Sequence, residues 1–208
     1  MPASFYSTIT ANHSPTRPFT YADLGCNEGD LTLPFWQRLL SSFPAPPATA
    51  KAIGVDIDET LIERANALPN RPKDVTFIAA NCASRTLLTA TLATLTPNPL
   101  SLISLFSTTM WIHVHLGDAD FLSFLKHLCT FSTFLLIEPQ PRKCYLAANK
   151  RLRKMGRPTF DLGRLLMLDD VEGTIKDTIE GEGFVQVHPL DDSKTPWGRA
   201  LCLYKRSN

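Results

Sequence analysis

Long apolar runs are missing. No stretch approaches the roughly 20 residues that carry a helix across a bilayer, and the first 20 residues hold no apolar core of a secretory signal. Cysteine is sparse: five residues, Cys26, Cys82, Cys129, Cys144 and Cys202, odd in number and with no Cys-x-x-Cys pair. That pattern supports neither a disulfide framework nor a metal-ligand set. It leads us to expect no metal, no membrane, and a reducing intracellular setting, the cytoplasm before the nucleus. Net charge is lacking as well, with 21 Lys and Arg against 20 Asp and Glu, so no global field draws the chain to a polyanion. The dinucleotide fingerprint Gly-x-Gly-x-x-Gly is absent, and so is the Lys-Ser/Thr ending of a nucleotide P-loop.

What is present is a globular composition, 44% hydrophobic and 20% charged, over 208 residues. The small net charge hides an uneven distribution. From Arg142 to Arg164 there are eight Lys and Arg against Asp161 alone, and from Leu165 to Asp192 eight acids against Lys176 alone. A basic stripe is therefore balanced by a separate acidic segment.

The chain alternates strands and helices. Strands are predicted at Thr20–Leu24, Ala52–Asp56, Val75–Ala79, Leu100–Ser107, Thr133–Ile137, Val185–His188 and Arg199–Tyr204. Helices are predicted at Leu31–Ser42, Glu59–Leu68 with Asp58 as its cap, Ser84–Leu95, Ala119–Phe131, Lys143–Met155 and Val171–Gly181. Such alternation implies a parallel, doubly wound sheet, and the last two strands, with no helix between them, imply a terminal antiparallel hairpin. Residues 1–19, carrying Pro2, Pro15 and Pro18, form an irregular lead-in arm, and residues 20–206 a single domain.

Doubly wound sheets bind ligands at the carboxyl ends of their strands. Strand one ends in Asp23-Leu24-Gly25-Cys26-Asn27-Glu28-Gly29, with glycines where the backbone must turn or approach a ligand. Its spacing fits the Asp-x-Gly-x-x-x-Gly loop of S-adenosyl-L-methionine (SAM) methyltransferases, although an ordinary strand-to-helix turn fits the stretch as well. Strand two ends at Asp56, a carboxylate able to accept both hydroxyls of a ribose. Strand three ends at Asn81-Cys82 and strand four at Phe106-Ser107, positions for an adenine edge and for a wall of the same pocket. Together the four ends point to a nucleoside cofactor.

Thr109-Met110-Trp111-Ile112-His113 follows strand four. If that stretch is extended, His113 and His115 point opposite ways and cannot share a metal. Thr109, Trp111 and His113 then either floor a substrate pocket or are a packed Trp with one solvated His. Strand five ends in Glu138-Pro139-Gln140-Pro141, where two prolines fix a rigid turn and set Glu138, Gln140 and Lys143 at the strand end. The helix beyond it presents Lys150, Arg151, Arg153 and Lys154 as phosphate partners.

These blocks, with Asp56-Ile57-Asp58, resemble the bicoid-interacting family of RNA methyltransferases, which includes the small nuclear RNA methylphosphate capping enzyme. A weaker likeness continues through Arg151-Leu152-Arg153-Lys154, Phe160-Asp161 and Thr195-Pro196-Trp197. The resemblance implies the Rossmann-like class I SAM-dependent methyltransferase fold, an α/β architecture with a seven-stranded mostly parallel sheet. It implies SAM as cofactor, touching Asp23, Gly25, Cys26, Asn27, Asp56, Ile57, Asn81, Cys82 and Phe106. It implies a small RNA with a 5′ phosphate as partner, Thr109, His113, Glu138, Gln140 and Lys143 positioning that phosphate, and the basic Lys143–Arg157 helix as contact surface. The capping enzyme carries lysine where Met110 stands, and the smaller 5′-monophosphate branch carries methionine, so a monophosphate end is expected, on a monomeric enzyme. The chain departs from the family at Arg142, a Trp elsewhere, and at Pro196, a Ser elsewhere. The Tyr and Arg of the family's N-terminal region have no firm counterparts in Tyr6 and Arg17. Two other readings stay open: a SAM methyltransferase of a small molecule or protein, and a catalytically silent RNA-binding scaffold.

Overall fold

A computed structural model describes residues 3–11, 13–95, 100–187 and 198–207. Among them seven strands form one sheet: β1 (Phe19–Leu24), β2 (Ala50–Asp56), β3 (Val75–Ala79), β4 (Leu100–Leu105), β5 (Ser132–Ile137), β6 (Phe184–Gln186) and β7 (Cys202–Arg206). Their order is β3-β2-β1-β4-β5-β7-β6. β1 to β5 run parallel, and β7 lies antiparallel between β5 and β6. This is the mostly parallel seven-stranded sheet with a terminal antiparallel pair that the sequence predicts. Every residue of β1 is buried, as expected of a central strand covered on both faces.

The helices are α1 (Ala3–Thr10), α2 (Thr32–Leu40), α3 (Glu59–Asn66), α4 (Arg85–Leu92), α5 (Thr109–Leu116), α6 (Asp118–Phe131), α7 (Arg142–Lys154) and α8 (Val171–Gly181), with 3₁₀ turns at Leu162–Arg164 and Leu166–Asp170. Asp58 caps α3, its carboxylate accepting from the Thr60 and Leu61 amides. One apolar cluster packs Phe5, Phe35, Trp36, Leu39 and Ile62 against one sheet face. The other packs Leu88, Phe121, Leu125, Tyr145 and Ile175 against the opposite face.

Strand order reverses between β2-β1 and β4-β5, and this switch opens a crevice at the carboxyl edge. The register sets the crevice's contents. Leu24 pairs with Val55, Asp23 with Ser104, and Leu105 with Ile137. The Gly25 loop, Asp56, Ser107 and Glu138 therefore emerge along one rim.

Two segments differ from expectation. The lead-in is not irregular: Phe5, Tyr6 and Ile9 share a face of α1 and are buried, and the Tyr6 ring rests on Phe35. Pro15 and Pro18, which suggest an irregular segment, lie beyond the end of this helix and do not interrupt it. The stretch after β4 is helical, so His113 and His115 are not on opposite sides of an extended strand. Its β-branched and aromatic residues favour a strand locally, but Gln140 fastens the helix's first turn and Gly117, at φ +78°, ends it. His188 and the block Thr195-Pro196-Trp197 lie outside the described residues, and β7 begins at Cys202, later than predicted.

Since Phe5 is wholly buried, Phe5→Ala should lower unfolding stability by about 3 kcal/mol, read from the urea midpoint. A loss under ~1 kcal/mol would mean that α1 lies outside the cooperatively folded unit.

Candidate active site

The glycine loop turns sharply at three positive-φ residues, Gly25 (+81°), Asn27 (+54°) and Gly29 (+82°). The Gly25 and Cys26 amides both donate to the Val55 carbonyl, at 2.7 and 3.0 Å. Thr108, at the start of α5, presses onto Gly25, where a Cβ would lie 2.2 Å from its hydroxyl oxygen. At Gly29 a Cβ would strike the Phe77 ring. Both glycines therefore answer a left-handed turn and a close approach, which explains why they keep their own spacing and not that of the dinucleotide fingerprint.

Asp56 ties loop to strand. One carboxylate oxygen accepts the Asn27 amide at 2.9 Å, and the other accepts the Asp58 amide at 3.1 Å. A carboxylate accepts about four hydrogen bonds, so this half-buried group retains capacity toward hydroxyls at the rim. Ile57 beside it is 69% exposed. Asn81 is exposed, and its side-chain oxygen accepts the Ala83 amide. Cys82 is buried, which pushes its thiol up to about 12. Burial raises Cys26 further. Both sulfurs stay protonated, and the two residues pack into the apolar clusters beneath the rim. Phe106 is buried and meets Phe35 edge-on.

Asp23 lies beneath the rim. Tyr21 donates to Ser104, Ser104 donates to one Asp23 oxygen at 2.6 Å, and Thr32 donates to the other at 2.5 Å. The carboxylate thus joins β1, β4 and the first residue of α2, holding the loop from below. Burial raises its pKa to about 6, against the lowering effect of the two hydroxyls.

On the other side of the crevice, Glu138 and Gln140 are buried. The Gln140 amide donates to the Thr109 hydroxyl at 3.2 Å, and its side-chain oxygen accepts the Met110 amide at 2.9 Å. Thr109 and Met110 are themselves buried. The His113 ring is fully buried and its pKa is lowered by that burial. Its Nε2 lies 2.7 Å from Asp118 and its Nδ1 2.9 Å from the Tyr145 hydroxyl. A neutral ring satisfies both when Nε2 donates to Asp118 and Nδ1 accepts from Tyr145. Thr109, His113 and Gln140 thus brace α5 against α6 and α7.

Arg199 escaped the sequence reading. Its Nε lies 2.9 Å from one Glu138 oxygen, an ion pair off the ideal hydrogen-bond line. Its Nη2 donates to Ser107 at 2.9 Å, and Ser107 donates to the other Glu138 oxygen at 2.7 Å. The one available signal was that a buried strand-end glutamate needs a cation. Lys143 stands exposed on the first turn of α7 beside Arg142, which pairs with Asp169. Cations in a helix's first turn oppose its dipole, an arrangement that an arriving anion would relieve. Among the described residues no group of three or more His, Cys, Asp or Glu could hold a metal ion.

An exposed aspartate titrates near about 4, whereas folded Asp23 titrates near about 6. The folded chain therefore holds that proton more tightly, and the stability it confers is complete below about pH 4 and lost as pH rises through about 6. The stability difference between wild type and Asp23→Asn should accordingly shrink by roughly 3 kcal/mol across that window, read from urea midpoints. A pH-independent difference would contradict the burial of this carboxyl.

Comparisons with known proteins find relatives by sequence and by fold. A family model described as Bicoid-interacting protein 3 (Bin3) matches residues 100–206. The pre-miRNA 5′-monophosphate methyltransferase of Danio rerio is 34% identical over 193 residues, covering 88% of this chain and 76% of the relative. The RNA 5′-monophosphate methyltransferase of Bos taurus is 31% identical over 216 residues, covering 99% and 73%. Among solved structures, N-methyltransferase NodS from Bradyrhizobium japonicum, in complex with S-adenosyl-L-homocysteine, superposes with a TM-score of 0.55 at 12% identity, over 99% of this chain and 86% of that one. That likeness shows the fold, a class I methyltransferase fold. The Trp-Ile-His and Glu-Pro-Gln-Pro blocks, one at the head of α5 and the other clamping it, lie within the matched region. The chain belongs to the Bicoid-interacting protein 3 family.

Proposed function

We propose that this protein is a SAM-dependent RNA methyltransferase that methylates the 5′-terminal monophosphate of a small RNA. The observation that carries the reading is one juxtaposition at one sheet edge. A glycine loop bonded to the strand-end carboxylate Asp56 faces a rigid turn leading into the cationic α7. The names of the relatives supply the substrate class.

The residues fit the cofactor. The left-handed loop from Gly25 to Asn27 borders the place for the amino-acid end. Asp56 accepts ribose hydroxyls, and Ile57, Asn81 and Cys82 border the adenine. Held there, SAM would supply an electrophilic methyl group, and the chain's own residues would present a phosphate oxygen in line with it. The oxygen is already anionic, the second ionisation lying near about pH 6, so no general base is required. The neutral, doubly bonded His113 is consistent with that. What the chain must do is align the phosphate and exclude water. Lys143 holds the phosphate as a single mobile charge, and a tighter clamp would drain the oxygen's nucleophilicity. Five thiols, none in a disulfide, fit a reducing cytoplasmic setting. A small-molecule substrate would give the exposed cations of α7 no role.

Labelled methyl from SAM should pass to synthetic RNA bearing a 5′ monophosphate and not to the same RNA ending in 5′ hydroxyl. Labelling of both would sink the phosphate target. Asp56→Ala should raise the KM for SAM at least ~10-fold with little change for RNA, and Lys143→Ala should do the reverse, each losing a hydrogen bond to a charged group. Equal effects on both KM values would remove these assignments.

A further inference from the structure

We propose that Trp111 is the stacking platform for the base of the RNA's 5′-terminal nucleotide, an inference that rests on the RNA reading above. Trp111 occupies the first turn of α5, so it stands at the carboxyl rim directly after β4. Its neighbours Thr109, Met110, Ile112 and His113 are all buried, while Trp111 remains 37% exposed. Core packing leaves that exposure unexplained, because the rest of the turn is already anchored through Gln140.

The ring is held rigidly. Phe160 meets it edge-on with centroids 6.0 Å apart, and Phe160 in turn touches His115 one turn further along α5. Phe160 is fixed by two bonds to Asn149 of α7, the side-chain nitrogen donating to its carbonyl and its amide donating to the side-chain oxygen. The aromatic group is thereby fastened to the cationic helix, whose Lys143, Lys150, Arg153 and Lys154 are exposed. Arg164 closes the other side, donating to the Val114 carbonyl.

A rigid, half-open aromatic beside a row of cations is the arrangement that grips single-stranded nucleic acid, cations following the phosphates and the ring taking a base. A terminal phosphate and its own base are joined through one ribose. A base stacked at the head of α5 therefore leaves its phosphate at the same rim, where Gln140 and the first turn of α7 meet. The exposed cations of α7 favour a polyanion such as RNA over a protein partner without an acidic surface.

A binding cycle tests this independently of methyl transfer. The affinities of wild type, Trp111→Ala and Trp111→Phe would be measured, with S-adenosyl-L-homocysteine present, for 5′-monophosphate RNA with an intact or an abasic terminal nucleotide. Removing the base should weaken wild-type binding about 10-fold, Trp111→Ala should weaken intact RNA by a similar factor, and the two losses should not add. Trp111→Phe should retain most of the affinity. Additive losses, or unchanged affinity in Trp111→Ala, would overturn the proposal, the latter outcome leaving the aromatic group to a protein partner. A thermal melt matching wild type excludes misfolding. Non-additive losses without methyl transfer would overturn the methylation reading alone, whereas transfer with additive losses would overturn only the stacking role.

Discussion

Asp23 is a carboxylate sealed among β1, β4 and α2, and a buried charge left without partners would cost several kcal/mol. Ser104 and Thr32 supply the partners, one from β4 and one from α2. Because each oxygen is engaged on a different element, the end of β1 cannot shift relative to either. The Gly25 loop begins two residues later and inherits that position. Its contact with the Val55 carbonyl and the Asn27–Asp56 bond then place the rim of β2 against it.

A second buried polar group does the same for the opposite side. Glu138, Arg199 and Ser107 lock the ends of β4 and β5 to the segment leading into β7. Ser107 sits at φ +54°, which a residue with a Cβ adopts reluctantly. That turn aims Thr108 at Gly25, and only a glycine fits beneath it. The two locks therefore meet at the Gly25–Thr108 contact, which joins the glycine-loop side of the crevice to the side that begins α5 and, through Gln140, α7. In this member of the Bicoid-interacting protein 3 family, the glycine loop and the wall that begins α5 form one rim, and the proposed alignment of an oxygen, a methyl and a sulfur would use that rigidity.

The sequence displayed the sheet well because apolar strands alternated with capped helices, and the register then carried Asp56, Asn81 and Glu138 to one edge. It misjudged segments decided by tertiary contacts. The helicity of α1 depends on Phe5, Tyr6 and Ile9 finding α2, and that of α5 on a glutamine about 30 residues away. Side-chain depth was also invisible. Thr109, Gln140 and His113 read as substrate contacts, yet each is buried and bonded to a neighbouring element, through Thr109 Oγ1, Gln140 Oε1 and both ring nitrogens of His113. Arg199 lies in a strand lead with no motif, and its role depends on a glutamate brought close only by the β5–β7 pairing.

Under the proposed function, this rim delivers a methyl group to phosphorus-bound oxygen and to no other atom of the RNA. The most direct measurement is the mass and fragmentation of the 5′-terminal nucleotide released from product RNA by nuclease. Phosphate methylation requires added methyl groups that remain with the phosphate on fragmentation and an unmodified base and ribose. Methyl groups on the base or on a ribose hydroxyl, with the phosphate unchanged, would contradict it.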